Sequence, residues 1–161
     1  MERGHRFRLG LFALTTLGLM ALIFCFSAQS ALRSQQVSDG FLASLVGRFL
    51  NRFLPRLSGR GMEFDIRKYA HMAEFFCLGV SAFLLFSEAF RWRPDQRAAL
   101  SALLFSVLYA CTDEVHQIFV PGRACRFTDV LVDAVGILLG ILPARLLQWA
   151  LGPKKRGSGP V

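Results

Sequence analysis

Residues 127–151 read FTDVLVDAVGILLGILPARLLQWAL. This apolar stretch is longer than the roughly 20 residues that an α-helix needs to cross a hydrocarbon core of about 30 Å. Three similar stretches precede it, so the sequence predicts membrane spans over about 9–27, 69–90, 98–120 and 127–151. We therefore expect an all-α integral membrane protein, a four-transmembrane-helix bundle that forms a single domain over 1–161.

The composition favours the same class of protein. Hydrophobic residues make up 53% of the chain, which is high for a soluble domain. The net charge of +8 is also typical of nucleic-acid binding, but the basic residues lie between apolar stretches and at their ends. That placement favours lipid headgroups, and we expect no nucleic-acid partner. The four cysteines show no spacing typical of a zinc site or a disulfide framework.

The first span has an alternative interpretation. Arg3, Arg6 and Arg8 precede it, as in a secretory signal peptide, and the small residues at 27–31 resemble a cleavage region. The apolar stretch is longer than the roughly 7 to 15 residues of a signal peptide, so we expect a retained helix. Cleavage would leave three spans.

The segment between the first two spans has its own pattern. Apolar residues recur at the spacing of one helical face, and Arg48 and Arg52 fall on the opposite face. This predicts an amphipathic helix over about 37–54 that lies in the headgroup layer, with packing against the bundle as the alternative. Residues 153–161 are predicted to form a disordered tail.

Polar residues gather where the second and fourth spans begin and where the third ends. With four crossings and both termini in the cytoplasm, as the positive-inside rule favours, these positions share the external face. Charged groups within a span cost roughly 2.5 to 3.5 kcal/mol at the membrane centre, so they are normally paired and functional. The predicted site consists of His71, Glu74, Asp113, Glu114, Gln117, Arg123, Asp129 and Asp133.

The other halves of the spans are expected to be nearly apolar, with Ser81, Ser87 and Glu88 among the few exceptions. Three site residues also have structural interpretations. His71 could cap its helix, Asp129 suits a helix N-terminus, and Arg123 could be a turn residue whose side chain reaches the interface.

Carboxylates beside an imidazole suit general acid and base catalysis, and the same groups could hold a divalent cation. The segment Glu114–Gln117 is not the HExxH zinc motif, so we assign no metal and no cofactor. Whether the protein is an enzyme stays open.

Four segments carry a resemblance to a known family. They are FSAQ at 26–29, RKYAHMAEF at 67–75, TDEVHQIFVPGR at 112–123, and the series Asp129, Asp133, Gly136 and Gly140. In order and spacing the chain resembles the VanZ-like membrane proteins of bacteria, and the eight predicted site residues fall on that family's polar positions. Phe75 stands where tyrosine is frequent, and Cys125 where a small residue is usual.

The resemblance implies a multi-pass protein of the bacterial cell membrane, and the family's founding member is associated with resistance to the glycopeptide teicoplanin. We expect an external pocket that binds, and in an enzymatic version modifies, an anionic or lipid-linked envelope molecule. The expected partners are membrane lipid and a lipid-linked envelope precursor or glycopeptide. The alternatives are a small proton- or cation-coupled transporter and an interaction subunit that oligomerises through Gly136 and Gly140.

Overall fold

The computed structural model describes residues 2–29, 62–91 and 96–151. This part of the chain forms four α-helices: α1 over Glu2–Ser27, α2 over Met62–Ala89, α3 over Gln96–Gln117 and α4 over Phe127–Leu151. All four are long and apolar enough to cross a membrane, so the four predicted spans are confirmed. The predicted amphipathic helix at 37–54 and the tail at 153–161 lie outside the described residues.

Three helices differ in length from the predicted spans, and the second begins at Met62 and not near Tyr69. The first begins at Glu2 and not near Leu9, and Glu2 and Arg6 lie one turn apart with 3.7 Å between their charged groups. The third ends at Gln117 because the chain then turns, and the N–H of Phe119 donates to the carbonyl of His116 at 3.0 Å. A positive φ of 77° at Gly122 continues this turn.

The second helix is the centre of the bundle, because it packs against each of the other three. Its most extensive contact is with α4, and α3 packs against both α2 and α4. The apolar core between the helices includes Phe75, Leu78 and Ile137, which are fully buried. Large apolar side chains such as Leu108 and Leu146 lie on the outside, as expected for helices in lipid.

Three glycines explain why α2 and α4 approach so closely. A Cβ atom at Gly136 would lie 2.3 Å from the carbonyl oxygen of Met72, and one at Gly140 would lie 2.3 Å from that of Phe76. On the other helix, a Cβ at Gly79 would lie 2.6 Å from the carbonyl oxygen of Ile137. Small residues allow such backbone contact between membrane helices. Both glycines of the GxxxG pattern thus face α2 of the same chain, and oligomerisation through them stays a prediction.

Candidate functional site

A pocket of about 120 Å³ opens at the end of the bundle where α2 and α4 begin and α3 ends. We call it the polar pocket. Six of the eight residues predicted from the sequence line it, namely His71, Glu114, Gln117, Arg123, Asp129 and Asp133. Lys68, Gly122, Ala124, Arg126 and Val132 complete the lining. The two remaining predicted residues, Glu74 and Asp113, are not part of this wall.

Asp113 is held by a hydrogen-bond network that joins α1 to α3. Its Oδ2 atom accepts from Ser27 Oγ at 2.6 Å and from Gln117 Nε2 at 2.9 Å. Gln117 Nε2 also donates to Ser27 Oγ at 3.2 Å. All three side chains are buried, so these bonds form away from water and fix the end of α1 beside the pocket.

Two carboxylate oxygens next to this network have unmet hydrogen-bonding capacity. Asp113 Oδ1 and Glu74 Oε2 are buried, and neither has a hydrogen-bond partner within the described residues. A buried acceptor without a donor costs about 1 to 3 kcal/mol, and more when it is charged. Glu88 Oε2, at the other end of the bundle, is buried without a hydrogen-bond partner in the same way, so this feature is not confined to the pocket end.

The turn between α3 and α4 is hydrogen-bonded both to α3 and to the end of α1. Glu114 Oε2 accepts the backbone N–H of Arg126 at 2.9 Å, which ties the turn to α3. Arg123 donates from Nε to the carbonyl of Gln29 at 3.0 Å and from Nη2 to that of Phe26 at 3.3 Å. Arg123 thus lines the polar pocket and also anchors the end of α1, a contact that the sequence did not predict.

The wall formed by α4 combines an acid at the helix start with a second acid one turn deeper. Asp129 lies in the first turn of α4, and its Oδ1 accepts from Thr128 at 3.3 Å and lies 4.0 Å from Lys68 Nζ. This position agrees with the capping interpretation, because a carboxylate stabilises the positive end of the helix dipole. Asp133 is only 2% exposed, so it faces inward.

The pocket therefore combines side chains of both signs of charge from several elements. Lys68, Arg123 and Arg126 provide cations beside the carboxylates of α3 and α4. Among the described residues, no group of three His, Cys, Asp or Glu side chains is arranged to hold a metal ion. Such a pocket suits a ligand that carries negative charge and also hydrogen-bond donors.

The predicted set of eight omitted three polar residues of this site. Ser27 is fully buried and donates to Asp113, and Lys68 and Arg126 line the pocket. The pattern contained a sign of the first two: Ser27 belongs to the FSAQ segment, and Lys68 precedes His71 by three residues, which places the two on one helical face.

The opposite end of the bundle corrects the expectation of a nearly apolar half. Glu88 of α2 is fully buried, and its Oε1 lies 2.8 Å from His5 Nδ1 and 3.0 Å from Arg8 Nε, both of α1. The sequence concealed this cluster because the predicted first span began only at Leu9. Once α1 extends to Glu2, its polar turns lie beside the end of α2.

Further polar pairs lie between the two ends. Thr16 and Ser81 are hydrogen-bonded at 2.9 Å, and Ser87 donates to Gln148 at 3.2 Å. These pairs join α1 to α2 and α2 to α4. The interior is therefore less uniformly apolar than the sequence suggested.

Four apolar helices, polar groups concentrated at their ends and a pocket at one end define a multi-pass helical membrane protein. The family model of VanZ/LLP1 matches residues 12–148, and the chain belongs to this family. No curated protein and no solved structure gives a significant match. The resemblance stated from the sequence motifs is thus confirmed at the level of the family.

Proposed function

We propose that the polar pocket binds an anionic, lipid-linked molecule of the cell envelope, for which a polyprenyl phosphate is the simplest probe. The observation that carries this proposal is the pocket itself, with cationic side chains from α2 and the α3–α4 turn placed at the end of the spans. At that depth a phosphate meets the protein while its lipid chain stays in the bilayer.

Two residues are suited to contact the phosphate. Lys68 and Arg126 both line the pocket, one from α2 and one from the turn, so an anion between them would bridge two elements. Arg123 is committed in part to the carbonyls at the end of α1, and it positions the turn that carries Arg126. The carboxylates that α3 and α4 contribute to the pocket would accept hydrogen bonds from hydroxyl or amino groups of the same ligand.

An enzymatic version of the proposal assigns Glu114 as general base and His71 as proton relay. Both line the polar pocket, whereas Asp113 is held outside its wall by Ser27 and Gln117. Glu114 is therefore the better placed of the two acids for contact with a substrate. Asp113 would act as a positioning residue.

Native mass spectrometry of the protein extracted in a mild detergent tests this proposal. We expect a co-purifying anionic lipid whose occupancy falls in the variant Lys68→Gln/Arg126→Gln. The matched control, Arg97→Gln/Arg145→Gln, removes the same charge at residues that do not line the pocket. Equal occupancy in all three proteins would contradict the proposal.

The enzymatic version needs its own test. Purified protein is incubated with undecaprenyl phosphate and with undecaprenyl diphosphate, and the products are identified by mass spectrometry. Loss of turnover in Glu114→Gln with binding retained would support a catalytic role. Binding without turnover in the unaltered protein would leave recognition as the function.

The orientation belongs to the same proposal, with the polar pocket external and both termini in the cytoplasm of a bacterium. Cys125 lies in the α3–α4 turn at the pocket end, whereas the other three cysteines lie within helices. In a Cys25→Ser/Cys77→Ser/Cys111→Ser variant, a membrane-impermeant maleimide should label intact cells. Labelling only after lysis would reverse the orientation.

Transport is a second candidate that the structure strengthens. Transport needs polar groups along the path between the two faces of the bundle, and the buried Glu88 cluster and the Thr16–Ser81 pair supply such groups beyond the polar pocket. Proton flux through sealed vesicles above a protein-free control would support transport, and flux equal to that control would exclude it.

A further inference from the structure

A second cavity, which we call the basic groove, lies at the end of the bundle opposite the polar pocket. Its volume is about 700 Å³, and its walls come from the first turns of α1 and the end of α2. The lining residues are Glu2, Gly4, His5, Arg6, Arg8, Leu9 and Arg91. We propose that the basic groove binds the phosphate of an anionic phospholipid from the adjacent leaflet.

The charges of the basic groove favour an anion. Arg6, Arg8 and Arg91 line it, whereas Glu2 is the single acid in its wall. Glu2 lies 3.7 Å from Arg6, and Arg8 is paired with the buried Glu88, so these acids offset part of the positive charge. A guanidinium offers several N–H donors in a planar fork that matches the oxygens of a phosphate. An anion between α1 and the segment after α2 would add to this partial compensation.

One side of the groove is prearranged by Glu88. Its fully buried carboxylate holds His5 at 2.8 Å and Arg8 at 3.0 Å, so both side chains are ordered beside the cavity. On the other side, Arg91 follows the end of α2 with φ of 59°, and its backbone N–H donates to the backbone carbonyl of Glu88 at 3.0 Å. The Glu88 carboxylate therefore orders the α1 side of the groove, which lowers the ordering that a ligand must impose there.

The depth of the groove favours a lipid over a soluble phosphate. Leu9, where the apolar part of α1 begins, lies in its wall. Phe7 and Phe90, which adjoin lining residues in the sequence, are 72% and 43% exposed, and exposed apolar side chains of this size favour contact with acyl chains. A phosphate in the groove would therefore sit at headgroup level with its acyl chains along α1 and α2.

Lipid titration followed by native mass spectrometry tests the proposal. The protein in a neutral detergent is titrated with phosphatidylglycerol, and the variant Arg6→Gln/Arg91→Gln is compared with Arg97→Gln/Arg145→Gln. All four arginines belong to helices or helix ends, but only the first pair lines the groove. We expect the first variant to bind about tenfold more weakly and the second to match the unaltered protein.

Competition with inorganic phosphate identifies the source of the anion. If millimolar phosphate leaves phosphatidylglycerol bound, the groove recognises the lipid as proposed. If phosphate displaces the lipid in the unaltered protein, the groove takes a soluble phosphate and the assignment to a lipid is wrong. Equal affinity of both arginine variants for phosphatidylglycerol would overturn the site itself. Because the tested residues lie at the other end of the bundle, this outcome would leave the polar pocket unaffected.

Discussion

The two ends of the bundle bury carboxylates in different ways. At each end one carboxylate oxygen, Asp113 Oδ1 or Glu88 Oε2, has no hydrogen-bond partner within the described residues. At the pocket end, the other oxygen of Asp113 is bonded to the neutral donors Ser27 and Gln117. At the opposite end, Glu88 is paired with His5 and Arg8 of α1, and we call these three residues the ionic anchor. The difference between the two buried acids is therefore the type of partner and not the extent of burial.

The largest expected effect concerns the ionic anchor. In the variant His5→Ala/Arg8→Ala, Glu88 stays buried without either partner, and we expect the free energy of unfolding to fall by about 3 kcal/mol. In Glu88→Gln the acid is gone and Arg8 remains half-exposed to solvent, so the loss should stay below about 1 kcal/mol. Unfolding in mixed micelles with increasing dodecyl sulfate measures both. Equal losses of free energy of unfolding in the two variants would mean that Glu88 does not depend on His5 and Arg8 for its burial.

The next effect concerns the α2–α4 contact that connects the two ends. Gly136→Ala places a methyl group against the carbonyl oxygen of Met72, and backbone atoms cannot move aside as a side chain can. We expect a loss of about 1 to 3 kcal/mol by the same unfolding measurement. Gly18→Ala on α1 is the matched control, because nothing lies within 4 Å of its Cβ position. If Gly136→Ala leaves the free energy of unfolding unchanged, the close contact between α2 and α4 does not contribute to stability as expected.

A smaller effect is expected at the pocket end. Ser27→Ala removes one of the two donors to Asp113 and also a partner of Gln117, which should cost about 1 to 2 kcal/mol. Thr112→Ala removes an exposed hydroxyl that donates to the carbonyl of Tyr109 at 2.7 Å, and it should change stability by less than about 0.5 kcal/mol. If both substitutions have the same effect, the Asp113 network does not fix the end of α1.

The smallest expected effect is a change in the rate at which the Cys125 thiol, at the pocket end, reacts with a maleimide. Partial desolvation by neighbouring atoms, and then the nearby Glu114 carboxylate, raise the pKa of the exposed Cys125 thiol. A raised pKa lowers the thiolate fraction at neutral pH, so maleimide labelling should be slow and should accelerate as the pH rises. Glu114→Gln should accelerate labelling at neutral pH in the variant that retains only Cys125. An unchanged labelling rate would mean that the Glu114 carboxylate does not raise the pKa of the Cys125 thiol.

Much of the fold was predictable because each span has the length and apolar character that a bilayer requires. The pocket was partly predictable for the same reason: helix ends of known direction bring His71, Glu114 and Asp133 to one face. Hydropathy reports where apolar residues begin and not where a helix begins, so it missed the first turns of α1. His5 and Arg8 therefore had no predicted neighbour, and the anchor at Glu88 was not foreseen.

The sequence also could not predict that Asp113 lies outside the pocket wall. Spacing places Asp113 and Gln117 on one helical face, but it cannot show that Ser27 of another helix occupies the space before them. Likewise, the pattern at Gly136 and Gly140 predicted a close helix contact without identifying the partner. In the structure, the partner of these two glycines is α2 of the same chain.

The central claim is that the polar pocket binds a lipid-linked phosphate, and direct binding of undecaprenyl phosphate to the purified protein tests it most directly. Affinity is measured for the unaltered protein, for Lys68→Gln/Arg126→Gln at the polar pocket, and for Arg6→Gln/Arg91→Gln at the basic groove. We expect binding about tenfold weaker in the first variant and unchanged in the second. Equal affinity in the unaltered protein and the polar-pocket variant would contradict the account.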